Sequence, residues 1–149
     1  MLRKSIILLF AVAVNIGIVS ADNRLDIRRE TARAISLIEH GRYAEARHSL
    51  TILREQVPID EEVLVRHIDF QLALCAFELR DNATEKILLA FLRRYPESVH
   101  INDARFMLAM YYCEREEYAE ARKYLDKVSY KALTADNKER YNMRMGYIE

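Results

Sequence analysis

A seven-residue stretch that occurs twice limits what this 149-residue chain can fold into. The first copy spans residues 41–47 and reads GRYAEAR, and the second spans residues 116–122 and reads EEYAEAR. In the first copy a small residue, Ala46, is followed at helical spacing by Leu50, then Leu53, and finally by Pro58. Apolar residues at these offsets predict a helix with one buried face, and proline ends such a helix. The chain therefore contains an internal repeat.

This spacing resembles the second helix of a tetratricopeptide repeat, in which small and apolar residues pack against the partner helix and a proline closes the unit. The same offsets recur downstream at Ala121, Leu125 and Val128. The resemblance covers roughly residues 27–133. It implies an all-α fold, a tetratricopeptide-type α-solenoid of about three helical hairpins plus one additional C-terminal helix. It also implies that the protein binds other proteins.

Composition agrees with a single helical domain. Half of the residues are hydrophobic, almost a third are charged, and the chain has three glycines and two prolines. These proportions argue against disorder and against a β-rich fold. The sequence predicts one repeat domain over residues 22–149, with repeats at about 24–58, 60–96 and 98–133 and a partial fourth at 136–149.

Two places depart from the repeat pattern. In the second repeat the residue that matches Ala46 is either Thr84 or Glu85, and the corner between the helices is one residue shorter. After the third repeat, Asp136 with Glu139 three residues later resembles a helix N-cap and its capping partner. We therefore expect a degenerate second repeat and a further helix that begins at Asp136.

The N-terminus resembles a secretory signal peptide over residues 1–21. Arg3 and Lys4 form a basic segment, residues 5–18 are mostly apolar, and small residues precede Asp22. The alternative is an uncleaved membrane anchor, but this apolar run is shorter than the roughly 20 residues of a spanning helix and it contains Asn15. We expect cleavage, an exported protein that begins at Asp22, and membrane contact only if the segment is retained.

A second resemblance narrows the compartment. Residues 91–98, FLRRYPES, followed by the alanine-containing helix at residues 102–109, look like periplasmic tetratricopeptide proteins of Gram-negative bacteria. Those families include the outer-membrane-barrel assembly lipoproteins and the Tol-Pal-associated coordinators, and the whole sequence looks closest to long secreted repeat proteins of the Bacteroidetes. Because the chain lacks both a lipobox cysteine and a preceding coiled coil, the assignment stops at the repeat superfamily. It implies a periplasmic or outer-membrane-associated location.

Charge gives no sign of a nucleic-acid partner. The chain has 23 basic and 23 acidic residues, and removal of residues 1–21 leaves 21 against 23. A protein that binds the phosphate backbone needs a basic excess, and this sequence has none. The expected partner is therefore a protein or peptide.

No motif predicts an enzyme. The sequence has no glycine-rich phosphate loop, no nucleophile elbow and no cysteine with a convincing histidine partner. Its four histidines, His40, His48, His67 and His100, lack partners at metal-ligand spacing along one helix face. We expect no catalytic residue, no cofactor, no metal and no small-molecule substrate.

The two cysteines, Cys75 and Cys113, leave two possibilities open. An oxidising compartment would allow a disulfide between them. Both lie in apolar helical stretches, however, where a free cysteine behaves as a small hydrophobic residue. Adjacent helices also rarely bring Cα atoms close enough for a disulfide. We favour free thiols.

The resemblance places the first helix of each pair on a concave face, where a partner would bind. The residues at the matching positions are Thr31, Ile35, Ile38, Phe70, Leu74, Phe77, Phe106, Met110 and Cys113. Relatives that hold a C-terminal carboxylate use Lys, Asn and Arg there, and these nine residues include none of them. The expected groove is apolar and suits an amphipathic helix or an extended peptide.

Two functional hypotheses follow. In the first, the chain is a non-enzymatic scaffold of the cell envelope whose contact residues are Ile35, Ile38, Phe70, Leu74, Phe77, Phe106 and Met110. In the second, it is the N-terminal structural portion of a larger envelope-assembly protein with no autonomous partner. The same apolar residues would then be core between repeats, or would be covered by the rest of a longer chain.

Overall fold

A computed structural model describes residues 22–148 of the chain. Helix α1 occupies residues 22–39, and a short 3₁₀ turn lies at Tyr130–Ala132. The other helices are α2 (Tyr43–Gln56), α3 (Glu62–Glu78), α4 (Thr84–Arg94), α5 (Ile101–Glu114), α6 (Tyr118–Leu125) and α7 (Ala135–Ile148). The described residues contain no strand. The all-α fold predicted from the sequence is confirmed.

The predicted signal peptide, residues 1–21, lies outside the described residues. Of the helices that the structure does describe, none combines the length and the apolar character needed to cross a membrane.

The helices pack in chain order as three pairs, α1–α2, α3–α4 and α5–α6, followed by α7. Each helix from α2 to α5 packs against the next, and α7 packs against α6. Helix α3 also contacts α5 directly, whereas the described helices α2, α4 and α6 make no comparable contact with one another. Helices α3 and α5 are therefore close together, whereas the second helices α2, α4 and α6 are splayed apart. This is the α-solenoid that the repeat pattern predicted.

We call the side of the solenoid formed by the first helices of the pairs, continued by α7, the inner face. The side formed by α2, α4 and α6 is the outer face. These two names follow from the packing, because the helices that contact each other across repeats lie on the tighter side of the curve.

Each pair closes on a small buried residue in its second helix. Ala46, Thr84 and Ala121 are exposed by 0, 1 and 0 %. A fully buried leucine follows each of them by four residues, at Leu50, Leu88 and Leu125. Thr84, not Glu85, therefore occupies the alanine position of the second repeat. Its hydroxyl lies 2.9 Å from the Ala76 carbonyl oxygen and 2.6 Å from that of Asp81, so the buried polar group is satisfied.

All three corners within the pairs have the same backbone geometry. One residue of each corner lies in the left-handed region: Gly41 at φ 72°, Arg80 at φ 53° and Glu116 at φ 61°. The N–H of the next residue donates to the carbonyl five residues earlier, in the bonds Arg42 to Leu37 (2.8 Å), Asp81 to Ala76 (2.9 Å) and Glu117 to Tyr112 (2.9 Å). This is the Schellman motif. In the second repeat the left-handed residue precedes the small residue by four positions instead of five, which confirms the shorter corner.

The last helix begins one residue earlier than the sequence predicted. Helix α7 starts at Ala135, and the backbone N–H of Asn137 donates to the hydroxyl of Thr134 at 3.3 Å. Thr134 is therefore the N-cap, and the prediction of Asp136 in that role was wrong. Asp136 lies in the first turn, where its charge still complements the helix dipole.

The cysteines are free and buried. Burial raises the pKa of Cys75 to about 11 and also raises that of Cys113. Thiols held in the neutral form are poor nucleophiles. The structure thus agrees with the interpretation of both residues as core side chains.

The shared corner geometry predicts that glycine stabilises the left-handed position, so introducing it at residue 116 and removing it at residue 41 should have opposite effects on stability. Glu116→Gly should raise the free energy of unfolding by about 0.5–1 kcal/mol, because a left-handed conformation costs a side-chain-bearing residue roughly 1–2 kcal/mol and part of that gain is offset by glycine's unfolded-state entropy. Gly41→Ala should lower it by a similar amount, since its added Cβ meets open space and only the backbone is strained. Urea unfolding followed by circular dichroism measures both. A destabilised Glu116→Gly variant would contradict this account.

Candidate protein-binding face

The structure separates the predicted contact residues into two groups. Ile35 and Ile38 on α1 and Leu74 and Phe77 on α3 are partly exposed. The other predicted residues are buried and exposed by only a few per cent: Phe70 7 %, Phe106 2 %, Met110 2 %, Thr31 3 % and Cys113 3 %. We correct the placement of this second group, because its members belong to the core. The first group stays a prediction.

Two members of the buried group, Phe70 and Phe106, contact side chains from the segment that follows their helical pair. The ring of Phe70 stacks on that of His100, with 4.0 Å between centroids and 6° between planes, and it also lies near Phe91. The guanidinium of Arg140, on α7, lies 6.0 Å from the centroid of Phe106. Periodicity places all these residues on one side of a helix. It does not distinguish those that face the next repeat from those that face the groove.

The partly exposed apolar residues adjoin the core. Leu74 and Phe77 pack against a cluster of buried residues built mainly from α4, α5 and α6, while Ile38 packs against a second cluster built from α1, α2 and α3. The inner face therefore carries apolar side chains that are continuous with the interior. Covering them would remove further apolar area from water at little conformational cost, because their inner ends are already held.

Two histidines meet where the second and third repeats join. His67 lies on α3, and His100 is the residue just before α5. Nδ1 of His67 and Nε2 of His100 are 3.3 Å apart, and the ring centroids are 5.5 Å apart. The centroid distance exceeds the nitrogen distance by about the sum of the two ring radii. Both nitrogens therefore lie near the line that joins the two rings and point at each other. This is the geometry of an N–H···N hydrogen bond between neutral rings.

The same geometry disfavours a metal between the two rings. A metal ligated by both nitrogens needs the two lone pairs to converge on a third point about 2 Å from each. Here the lone pair of one ring is directed at the nitrogen of the other. Within residues 22–148 no group of three or more His, Cys, Asp or Glu side chains is arranged to hold a metal ion.

Burial sets the protonation state of this pair. The pKa values of both His67 and His100 are lowered by loss of solvent, and for His100 the neighbouring His67 and Arg66 lower it further while Asp103 opposes them. Burial also raises the pKa of Asp103, against the effect of His100. The pair is thus held neutral near pH 7 beside a carboxyl group whose charge is itself disfavoured.

This pair predicts a loss of stability in mild acid. Histidines whose pKa is lowered by folding bind fewer protons in the folded state, so their stabilisation is complete above their ordinary pKa of about 6.5 and decreases as pH falls below it. The raised pKa of Asp103 works in the opposite direction. Urea midpoints measured between about pH 7.5 and about pH 5.5 should decrease, and His67→Gln should flatten that slope. His40→Gln, at an exposed ring, is the control, and an equal effect of both variants would refute the assignment.

A pocket on the outer face was not predicted. It has a volume of about 770 Å³ between α2 and α4, with side chains of α3 such as Leu72 and Ala76 also lining it. The gap arises because these second helices diverge, which no sequence pattern reports. Its charged groups pair with one another: Arg47 donates to Asp81 at 2.7 Å, and Asp69 accepts from Arg54 at 2.5 Å and from the Tyr95 hydroxyl at 2.6 Å. The two arginine–aspartate pairs tie the first repeat to the second.

A smaller pocket opens on the inner face beside α7. Its volume is about 210 Å³, and its lining comprises Met110, Glu114, Arg140, Met143 and Arg144. Met110, a predicted contact residue of the third repeat, lines this pocket, although little of its surface is exposed. The two arginines were not predicted as site residues, because the sequence analysis predicted the helix but not which of its side chains face the groove.

Comparison with known families supports the repeat assignment. The sequence profile of the tetratricopeptide repeat family matches residues 69–98 and 103–132. The matched segments begin within α3 and α5 and coincide with the second and third helical pairs, so these two pairs are similar to tetratricopeptide repeats. No curated protein and no solved structure gives a significant match to the sequence.

Proposed function

We propose that this protein is a non-enzymatic scaffold of the cell envelope that binds a peptide or helix of another protein along its inner face. Tetratricopeptide repeats generally mediate contacts between proteins. The observation that carries the proposal is the partial exposure of Leu74 and Phe77 beside the buried cluster. Because these side chains are anchored against the core, they offer an incoming apolar residue a preorganised contact surface at the centre of the inner face.

An amphipathic segment fits this surface best. Apolar residues one helical turn apart on the ligand can contact Leu74 and Phe77 while its polar side remains in water. Ile35 and Ile38 extend the same face into the first repeat. The ligand would then run across the first helices of successive pairs, where they lie closest together.

A second candidate function is that of a structural segment within a larger envelope assembly. The exposure of Met143 and Tyr147 on α7, 56 % and 70 %, favours it, because these side chains would pack well against a further helix. Light scattering on the purified protein separates the two candidates. A monomer supports the scaffold, and concentration-dependent association that Met143→Lys abolishes supports the structural segment.

The scaffold predicts that contact and core variants behave differently. Leu74→Asp combined with Phe77→Asp should weaken binding to the hits of an amphipathic peptide array by about tenfold or more, since two apolar contacts are lost. Ile52→Asp is the matched control, because Ile52 is 46 % exposed on α2 of the outer face. Circular dichroism verifies the fold of each variant. Unchanged peptide binding by a folded Leu74→Asp, Phe77→Asp variant would rule out the inner face as the binding surface.

Truncation of a core residue should instead reduce stability. Phe106→Ala should lower the free energy of unfolding by about 3–5 kcal/mol, the usual cost of removing a buried phenylalanine. If this variant unfolded at the same urea concentration as the native protein, Phe106 would be a surface contact residue, as its position in the repeat predicted.

Export is the part of the proposal that rests on residues 1–21. Their basic start, apolar middle and small residues before Asp22 have the form of a cleaved signal peptide. Mass spectrometry of the full chain, expressed in a Gram-negative host and recovered from the periplasm, should give a protein that begins at Asp22. An intact Met1 in the membrane fraction would show an uncleaved anchor instead.

A further inference from the structure

We infer that the α7 end of the inner face binds an acidic side chain of the partner, with Arg140 and Arg144 holding its carboxylate and the exposed Met143 contacting its apolar neighbours. This inference rests on the proposed function and specifies that the bound segment of the partner contains an acidic residue. It also supplies a charged anchor that the apolar residues of α1 and α3 do not provide.

The two arginines act as a pair because of their spacing. They lie four residues apart on α7, which places both on one face of the helix. Both are partly buried, and both line the pocket of about 210 Å³ with Met110 and Met143. The position of the Arg140 guanidinium over the Phe106 ring further limits its freedom. Guanidinium groups whose motion is already restricted lose little conformational entropy when they bind a carboxylate.

The charge of these arginines is available to a ligand. The nearest arginines in sequence form salt bridges, Arg115 with Glu117 at 3.1 Å and Arg122 with Asp126 at 3.4 Å. Within residues 22–148, by contrast, Arg140 and Arg144 take part in none. Glu114 lines the same pocket without forming a salt bridge to either arginine. A ligand carboxylate can therefore enter beside it and accept the charge-assisted hydrogen bonds that guanidinium groups donate in parallel.

The surroundings favour a carboxylate on a peptide over a nucleic acid. Two cations beside an acidic residue are too few for a phosphate backbone, and the chain has no net positive charge. Met143 is a flexible, exposed apolar side chain that adapts to varied aliphatic neighbours. An acidic residue within an otherwise apolar helical segment matches both features of the pocket.

The test uses the full chain and a matched pair of peptides in fluorescence anisotropy. The acidic peptide is labelled, amidated at its C-terminus and amphipathic, with a leucine face and two glutamates one helical turn apart. Its twin carries glutamine in their place. We expect the acidic peptide to bind about tenfold more tightly, and expect this advantage to shrink as salt is added. Arg140→Gln with Arg144→Gln should abolish the advantage and leave the affinity of the glutamine twin unchanged.

Matched variants sharpen the result. Arg93→Gln, at an exposed arginine of α4 on the outer face, should leave the advantage intact. Glu114→Gln should increase it, because a competing carboxylate is removed from the pocket. A glutamine twin with a free C-terminal carboxylate and a phosphoserine version of the peptide identify other anionic ligands.

The outcomes are distinct. Equal affinity of the acidic peptide and its twin, or an advantage that persists in the double arginine variant, overturns the inference and leaves the proposed function standing. Preference for the free C-terminus or for phosphoserine over glutamate also overturns it. If neither peptide binds, and the array of the preceding section gives no hits, the inference fails together with the proposed function.

Discussion

The solenoid depends on the close approach of two helices within each pair, and that approach depends on one small side chain. At residues 46 and 121 the side chain is alanine, and at residue 84 it is threonine. A larger residue there would separate the helices and displace the leucine that follows, which is fully buried in every repeat. Threonine is accommodated because its hydroxyl is hydrogen-bonded to the backbone of its own corner. The corner and the small residue therefore constrain each other.

The fold could be predicted because its determinants are local. The repeated GRYAEAR-type stretch, the leucine four residues after the small residue and the closing prolines specify helix boundaries and pairing with few alternatives. The start of the last helix was predicted incorrectly. Thr134 took the N-cap position in place of Asp136, because both precede the same apolar pattern and only the backbone geometry chooses between them.

The contact surface could be predicted only in part, for a different reason. A residue such as Phe106 lies on the correct side of its helix, but whether it meets a partner or the next repeat depends on how far the following helix extends over it. That extent is set by the angle between repeats, which depends on contacts between residues far apart in sequence, such as Arg54 with Asp69 and His67 with His100. Single-sequence periodicity contains no information about this angle.

The division of the core into two clusters has a consequence for cooperativity. Ile68 and Cys75 of α3 belong to the cluster with α1 and α2, whereas Phe70 and Ala73 belong to the cluster with the later helices. One helix thus contributes opposite sides to both. The N-terminal pair can detach by exposing one side of α3 while its other side stays packed, so partial unfolding should proceed from the ends of the chain toward α3. In such a linear array, α3 would be the last helix to exchange its amide protons.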